Sequence, residues 1–371
     1  MKVYPFSVGE PDAPTPAHII EAAKAALDKG ATRYTAVTGT AELKAAICEA
    51  TARERGHRPK PAQVTVSVGA KHALFNLACA LYEPGDEVII PAPYWVSYPE
   101  QVRLFGATPV IVETSEAEGF RASAEAIAKA VTPRTKAIIL CTPSNPTGSA
   151  YTRAHLEALA DVFRRGNYYV VVDEIYGDLV YDGFEHVSLA AVAPDLGDRL
   201  VIIDGVSKTY AMTGWRIGWS ITSTALASQL ATIQGQSTTN PAAVSQAASV
   251  AALNGPRESV IALRDGFARK RVLMVEGLRA IPGVSCRMPE GAFYAFADVR
   301  QLYGLRPSDQ LTLADDGAIA SWFLDEAHAA SVAGGPFGAP GYIRFSYACS
   351  DDDIRAGTAA IAAAVKRARG G

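Results

Sequence analysis

At 371 residues the chain is too long for one ordinary hydrophobic core, so two domains are expected. Its composition, 49% hydrophobic and 20% charged, is that of a globular protein, and a net charge of −3 offers no basic field for nucleic acid or an anionic membrane. No apolar run reaches the ~20 residues that span a bilayer, and Met1-Lys2-Val3-Tyr4-Pro5 lacks a signal-peptide pattern, so a soluble, cytoplasmic protein is expected.

Residues 7–16 carry Gly9, Pro11, Pro14 and Pro16 and read as loop. A helix follows over 17–27, with Pro16 suited to its first turn. A second loop over 32–39 ends at Thr40, whose hydroxyl can cap the next helix. From residue 64 short apolar runs alternate with amphipathic stretches. The runs at 64–68, 87–90, 109–112, 136–140, 169–172, 200–203 and 218–221 predict strands buried on both faces. Between the first two, Ala73, Leu74, Leu77, Ala78 and Leu81 fall on one face of a helix over 71–82. Leu156, Leu159, Ala160 and Phe163 make a similar stripe on a helix capped by Thr152. This grammar predicts an α/β fold, a mostly parallel seven-stranded sheet covered by helices.

Past Asn254-Gly255-Pro256 the alternation loosens. A long charged helix over 257–280 precedes strand-like runs at 293–297 and 342–347, a helix near 319–330 and a closing helix from Asp351. These make a smaller α+β domain, to which the first ~30 residues are expected to return. The expected division is a large domain over 33–255 and a small domain built from both chain ends, 1–32 and 256–371.

Ligands of open α/β sheets sit outside the carboxyl ends of the strands, and chemistry-bearing residues recur there. The stretch 204–221 holds Lys208 and Arg216 between two apolar runs. A lysine in apolar surroundings sheds its proton more readily and can form imines, while a guanidinium fork fits phosphate. Together they are the minimum kit for holding pyridoxal phosphate, although an isolated Lys/Arg pair reads better as two surface cations. Asp173 follows the run 168–172, where a carboxylate can keep a pyridine nitrogen protonated; a helix N-cap explains it equally well. Asn145, in Ser144-Asn145-Pro146-Thr147-Gly148, can donate to a phenolate oxygen or simply shape a turn. Tyr176 is a second phenolate partner or a core-edge residue. Gly69-Ala70-Lys71 opens a helix after a strand, where free N–H groups are receptive to phosphate, as at many such turns. Trp95 can stack on an aromatic cofactor or fill the core. Arg344, in an apolar run, suggests carboxylate recognition or a structural ion pair. No GxGxxG follows a strand and GxxxxGK[ST] is absent, which removes the main support for a dinucleotide or P-loop site. Six histidines share no ligand spacing and five cysteines form no CxxC, so no metal is expected.

These residues stand within longer motifs. They include Gly9-Glu10-Pro11-Asp12, Gly69-Ala70-Lys71-His72-Ala73-Leu74, Pro93-Tyr94-Trp95-Val96-Ser97-Tyr98, Asn145-Pro146-Thr147-Gly148 and Asp173-Glu174-Ile175-Tyr176. Ser207-Lys208-Thr209-Tyr210-Ala211-Met212-Thr213-Gly214-Trp215-Arg216 and Arg344-Phe345-Ser346-Tyr347-Ala348 follow. In this order, over nearly the whole chain, they resemble the class I/II, fold-type-I aminotransferases that depend on pyridoxal phosphate, and most closely the bacterial aspartate-aminotransferase branch.

The resemblance implies that Lys208 bonds the cofactor and serves catalysis with Asp173, which would pair with the pyridine nitrogen. Asn145 and Tyr176 would contact the ring oxygen, Trp95 would stack on the ring, and the Ala70 and Lys71 amides, Ser207 and Arg216 would bind phosphate. Tyr34 would reach the phosphate of the other subunit, which implies a homodimer with shared sites. Arg344 would clamp the substrate α-carboxylate, with Gly9, Trp95 and Asn145 nearby, and Lys71 would meet a distal carboxylate. The implied reaction is ping-pong transfer of an amino group between an L-amino acid and a 2-oxo acid, with 2-oxoglutarate as acceptor. Alternatives on the same fold are a lyase, decarboxylase or oxidase, and a non-catalytic ligand sensor. Two departures bear on these expectations. The sequence starts almost at Gly9-Glu10-Pro11-Asp12, where relatives carry an N-terminal arm that helps dimer contact and closure. The stretch 331–340 is shorter than the usual approach to the substrate arginine, which leaves open whether the substrate side chain is that of aspartate.

Overall fold

The apolar runs become the strands β1 (Val64–Ser67), β2 (Glu87–Pro91), β3 (Thr108–Val112), β4 (Thr135–Cys141), β5 (Tyr169–Asp173), β6 (Leu200–Gly205) and β7 (Gly218–Ile221). The computed structural model describes residues 2–370, and in it these strands form one sheet in the order β1-β7-β6-β5-β4-β2-β3. From β3 to β6 all pairs are parallel, while β7 runs antiparallel to both of its neighbours. An antiparallel neighbour needs no crossover helix. The stretch between β6 and β7 is therefore a loop standing at the carboxyl end of β6, and it carries Lys208 and Arg216.

Successive residues of a strand face opposite sides of the sheet. Val170 and Val172 accordingly join one apolar core, whereas Val171 joins the other, with Val201 and Ile203 of the next strand. Burial on both faces is what made these strands read as unbroken apolar runs. A second, antiparallel sheet is built from β8 (Ser285–Cys286), β9 (Tyr294–Asp298), β10 (Val332–Ala333) and β11 (Tyr342–Ser346), in the order β10-β11-β9-β8. Its core is separate and contains Phe6, Phe293, Phe323 and Phe345.

The helices flanking the first sheet are α1 (Ala17–Asp28), α2 (Ala41–Arg55), α3 (Ala70–Leu81), α4 (Ser97–Leu104), α5 (Ala124–Ala130), α6 (Arg153–Arg164), α7 (Leu189–Val192), α8 (Thr224–Gly235) and α9 (Ala243–Asn254). Beyond them lie α10 (Glu258–Arg279), α11 (Asp316–Ala327) and α12 (Asp351–Ala368). Thr40 and Thr152 cap α2 and α6 as expected, accepting from the N–H groups of Leu43 and His155 at 3.2 and 3.3 Å. The chain start divides between the two cores. The Phe6 carbonyl accepts from the N–H of Ser346 at 2.7 Å, which ties the first residues to the second sheet. Helix α1 instead packs on α9, with Ile19 and Ala23 in the first core. No helix among the described residues is long and apolar enough to cross a membrane.

Candidate active site

Three parallel strands deliver polar residues to one edge of the sheet, as open α/β sheets do. Asp173 closes β5, Asn145 follows β4, and Lys208 follows β6. They line a cavity of ≈ 440 Å³ together with Gly9, Ala70, Lys71, Trp95, Tyr176, Ser207, Arg216 and Arg344. Of the residues singled out in the sequence, Tyr34 alone lies outside it, 89% exposed.

Burial governs the charges here. Lys208 Nζ donates to the Gly9 carbonyl at 2.6 Å. Burial, and then the nearby charge of Arg216, pushes its amine down from 10.5 to about 8. Burial pushes Asp173 up from 3.8 to about 6. Two donors offset part of that cost: the Tyr98 hydroxyl at 2.7 Å from Oδ2, and the Ile175 N–H at 3.2 Å from Oδ1. Tyr176 and Tyr294 have hydroxyls 3.0 Å apart, and burial pushes both above their ordinary range, so both stay neutral. Arg344 Nη1 donates to Asn145 Oδ1 and Nη2 to the Ser7 carbonyl, each at 2.9 Å. Its guanidinium carbon lies 4.6 Å from the ring centre of Tyr294 and 5.1 Å from that of Phe337.

The other end of the cavity suits a phosphate. Helix α3 starts at Ala70, and the first N–H groups of a helix have no partner within it. Arg216 adopts a left-handed φ of 56° and donates through Nη1 to the Thr213 carbonyl at 2.8 Å. A Cβ on Gly69 would come within 2.5 Å of Arg216 Nη2, so the guanidinium rests against bare backbone. Ser207, buried, adds a hydroxyl to the same lining. Backbone donors, a hydroxyl and a fork suit a phosphate; a buried carboxylate suits a pyridinium; a lysine of lowered basicity suits imine formation. The donor set fits pyridoxal phosphate.

The family model for aminotransferase class I and II matches residues 1–361. The chain belongs to this family. As an aminotransferase it depends on pyridoxal phosphate, has the fold-type-I architecture and acts on amino-acid and 2-oxo-acid substrates. An aspartate/prephenate aminotransferase of Cereibacter sphaeroides is 46% identical, the match covering 96% of this chain and 90% of that protein. The crystal structure of the aspartate aminotransferase of Rhizobium meliloti superposes with a TM-score of 0.95 at 43% identity, covering 98% of this chain and 91% of that one. An aromatic aminotransferase of Pyrococcus horikoshii superposes at 0.91 with 35% identity, covering 97% and 95%.

Sequence reasoning assigned no role to Tyr98, Tyr294, Cys141, Val332 or Phe337, all of which line the aminotransferase cavity. A signal existed for Tyr98. It stands three residues after Trp95, the spacing that puts two side chains on one side of a helical turn, and its N–H donates to the Trp95 carbonyl at 3.0 Å.

Proposed function

We propose that this aminotransferase moves the amino group of an acidic L-amino acid, aspartate or glutamate, to a 2-oxo acid in two ping-pong half-reactions, with 2-oxoglutarate as acceptor. The observation that carries the reading is the convergence of Lys208, Asp173 and Arg344 on one cavity, with the exposed cation Lys71 among its walls. When bound, pyridoxal phosphate supplies the amino-group carrier and the electron sink. The N–H groups of Ala70 and Lys71, with Ser207 and Arg216, would hold its phosphate, Asp173 its ring nitrogen, Asn145 and Tyr176 its ring oxygen, and Trp95 its face. Lys208 removes the substrate Cα proton, and a pKa near 8 leaves part of its amine neutral at physiological pH. Arg344 receives the α-carboxylate beside Asn145, Trp95 and Gly9. Lys71 Nζ, 4.8 Å from the ring centre of Trp95, meets the distal carboxylate.

The reading extends to a cytoplasmic homodimer in which Tyr34 completes the partner's phosphate site. It includes a larger unit around 33–255 and a smaller one drawn from 1–32 and 256–371, with α1 docked on the larger.

Two measurements test it. In a donor screen, aspartate and glutamate should pass their amino groups to 2-oxoglutarate without release of ammonia or CO₂. Prephenate is included as an acceptor because the Cereibacter relative is named for it. Lys208→Ala should lower turnover by at least about a thousand-fold; near-normal transamination by that protein would overturn the assignment. Lys71→Ala should raise KM for aspartate about ten-fold with little change for an uncharged donor, and unchanged aspartate kinetics would remove Lys71 from substrate recognition.

A further inference from the structure

The chain reaches Arg344 through the short stretch 331–341, in which Phe337 is the one aromatic side chain. Phe337 is 2% exposed, and it lines the cavity. Its ring centre lies 5.1 Å from the guanidinium carbon of Arg344, within the distance at which a ring attracts a cation. Two hydrogen bonds and two rings hold that guanidinium. Nη1 reaches Asn145 and Nη2 reaches the Ser7 carbonyl, while Nε is buried without a hydrogen-bond partner among the described residues. With Nε unbonded, its tilt is set by those two bonds together with the rings of Tyr294, at 4.6 Å, and Phe337, at 5.1 Å.

Three contacts keep Phe337 where it is. The Tyr94 N–H, in the turn after β2, donates to the Phe337 carbonyl at 3.0 Å. Gly338 has φ 75°, and a Cβ there would lie 2.6 Å from the Tyr94 ring, so loop and ring are in close contact. Asp316, at the start of α11 and 5% exposed, accepts from Gly335 N–H at 2.8 Å and from Gly341 N–H at 3.1 Å. One buried carboxylate thus ties both ends of the loop. Burying it costs free energy that its hydrogen bonds must offset, which makes them strong anchors for the loop.

We propose that Phe337 is a positioning residue for substrate binding: anchored through Asp316 and Tyr94, it holds the Arg344 guanidinium in the orientation that receives a carboxylate. This rests on the reading of Arg344 as the α-carboxylate site. A ring that only filled the core beside Phe120 and Phe296 would affect stability and leave ligand affinity alone.

The test titrates the holoenzyme with maleate, a dicarboxylate with no amino group to transfer, following the cofactor absorption band. Cofactor affinity and thermal unfolding are measured on the same proteins. Phe337→Met keeps roughly the side-chain volume and removes the ring, and should weaken maleate about ten-fold and raise KM for the amino acid more than it lowers kcat. Phe337→Tyr should restore binding to within about two-fold, and cofactor affinity should stay unchanged in both. The inference is overturned if Phe337→Met binds maleate as well as the unaltered protein, or if Phe337→Tyr is as impaired as Phe337→Met. Arg344→Leu separates the two readings. If it keeps maleate affinity, the assignment of Arg344 fails and the inference with it; if it loses affinity while Phe337→Met does not, the inference alone fails. Should Phe337→Met not fold, Asp316→Asn takes its place. It leaves the ring intact but can accept only one of the two loop N–H groups, and carries the same expected and overturning results.

Discussion

Burial drives Asp173 and Lys208 toward neutrality from opposite ends of the pH scale. Asp173 rises from 3.8 to about 6 and Lys208 falls from 10.5 to about 8, so between those two values both remain charged where charge is disfavoured. In the cofactor-free protein each charge then costs folding free energy. For Asp173 the unfolded chain ionises first; the penalty grows as pH rises from 3.8 to about 6 and is complete above it. For Lys208 the folded chain loses its proton first; the penalty is complete below about 8 and has vanished above 10.5. Cofactor-free Asp173→Asn and Lys208→Met should therefore each melt a few degrees higher than the unaltered protein near neutral pH. The gain from Asp173→Asn should shrink below about pH 6, and the gain from Lys208→Met above about pH 8. Calorimetry across that range decides the matter, and equal melting temperatures at neutral pH would contradict it. A ligand that pairs with Asp173 and removes the charge on Lys208 relieves both costs when it binds.

The phosphate end depends on how closely α3 approaches β7. A Cβ on Gly218 would sit 2.2 Å from the Ala70 nitrogen and 2.6 Å from the Gly69 carbonyl carbon, both backbone atoms that cannot swing aside. Gly218→Ala should push the start of α3 away from the sheet and weaken cofactor binding at least about ten-fold, by the loss of charge-assisted hydrogen bonds. Gly214→Ala, where a Cβ meets nothing within 4 Å, should leave it unchanged, and equal affinities in the two proteins would refute the packing argument. Such approaches are invisible in a sequence, whereas the strands they join are not. A strand buried on both faces must be apolar throughout, so β4, β5 and β6 announce themselves, and the polar residues that follow them stand out as site candidates. Helix α4 does not announce itself. Val96 occupies its cap position with no side-chain hydrogen bond, and the helix runs for eight residues, too few to show a stripe. The role of Tyr98 stays hidden because Asp173 lies 75 positions further on. Phe337 is hidden in part for the same reason: Arg344 is near it in sequence, but its anchor Tyr94 is brought in only by the fold.

At the scale of the whole molecule, Tyr34 is the candidate that one chain leaves stranded. It is 89% exposed and lines a surface pocket with Gly30, Arg33, Ala243 and Val250, outside the walls of the active-site cavity. A large side chain this exposed gains little by burial within its own chain, and a symmetric dimer can put it to use in the neighbouring subunit. Mixing two impaired proteins tests the proposed sharing. In a hybrid dimer of one Lys208→Ala and one Tyr34→Ala subunit, sharing gives one site both defects and the other site neither. If Tyr34 served its own chain, both sites would carry a defect. Subunits of the two variants, unfolded together and refolded as an equal mixture, should recover about a quarter of the normal activity, since about half the dimers are hybrids with one whole site in two. Each variant refolded alone should stay well below that level. No recovery in a mixture that sediments as dimers would place Tyr34 outside the partner's site, and full activity of Tyr34→Ala alone would remove it from the site altogether.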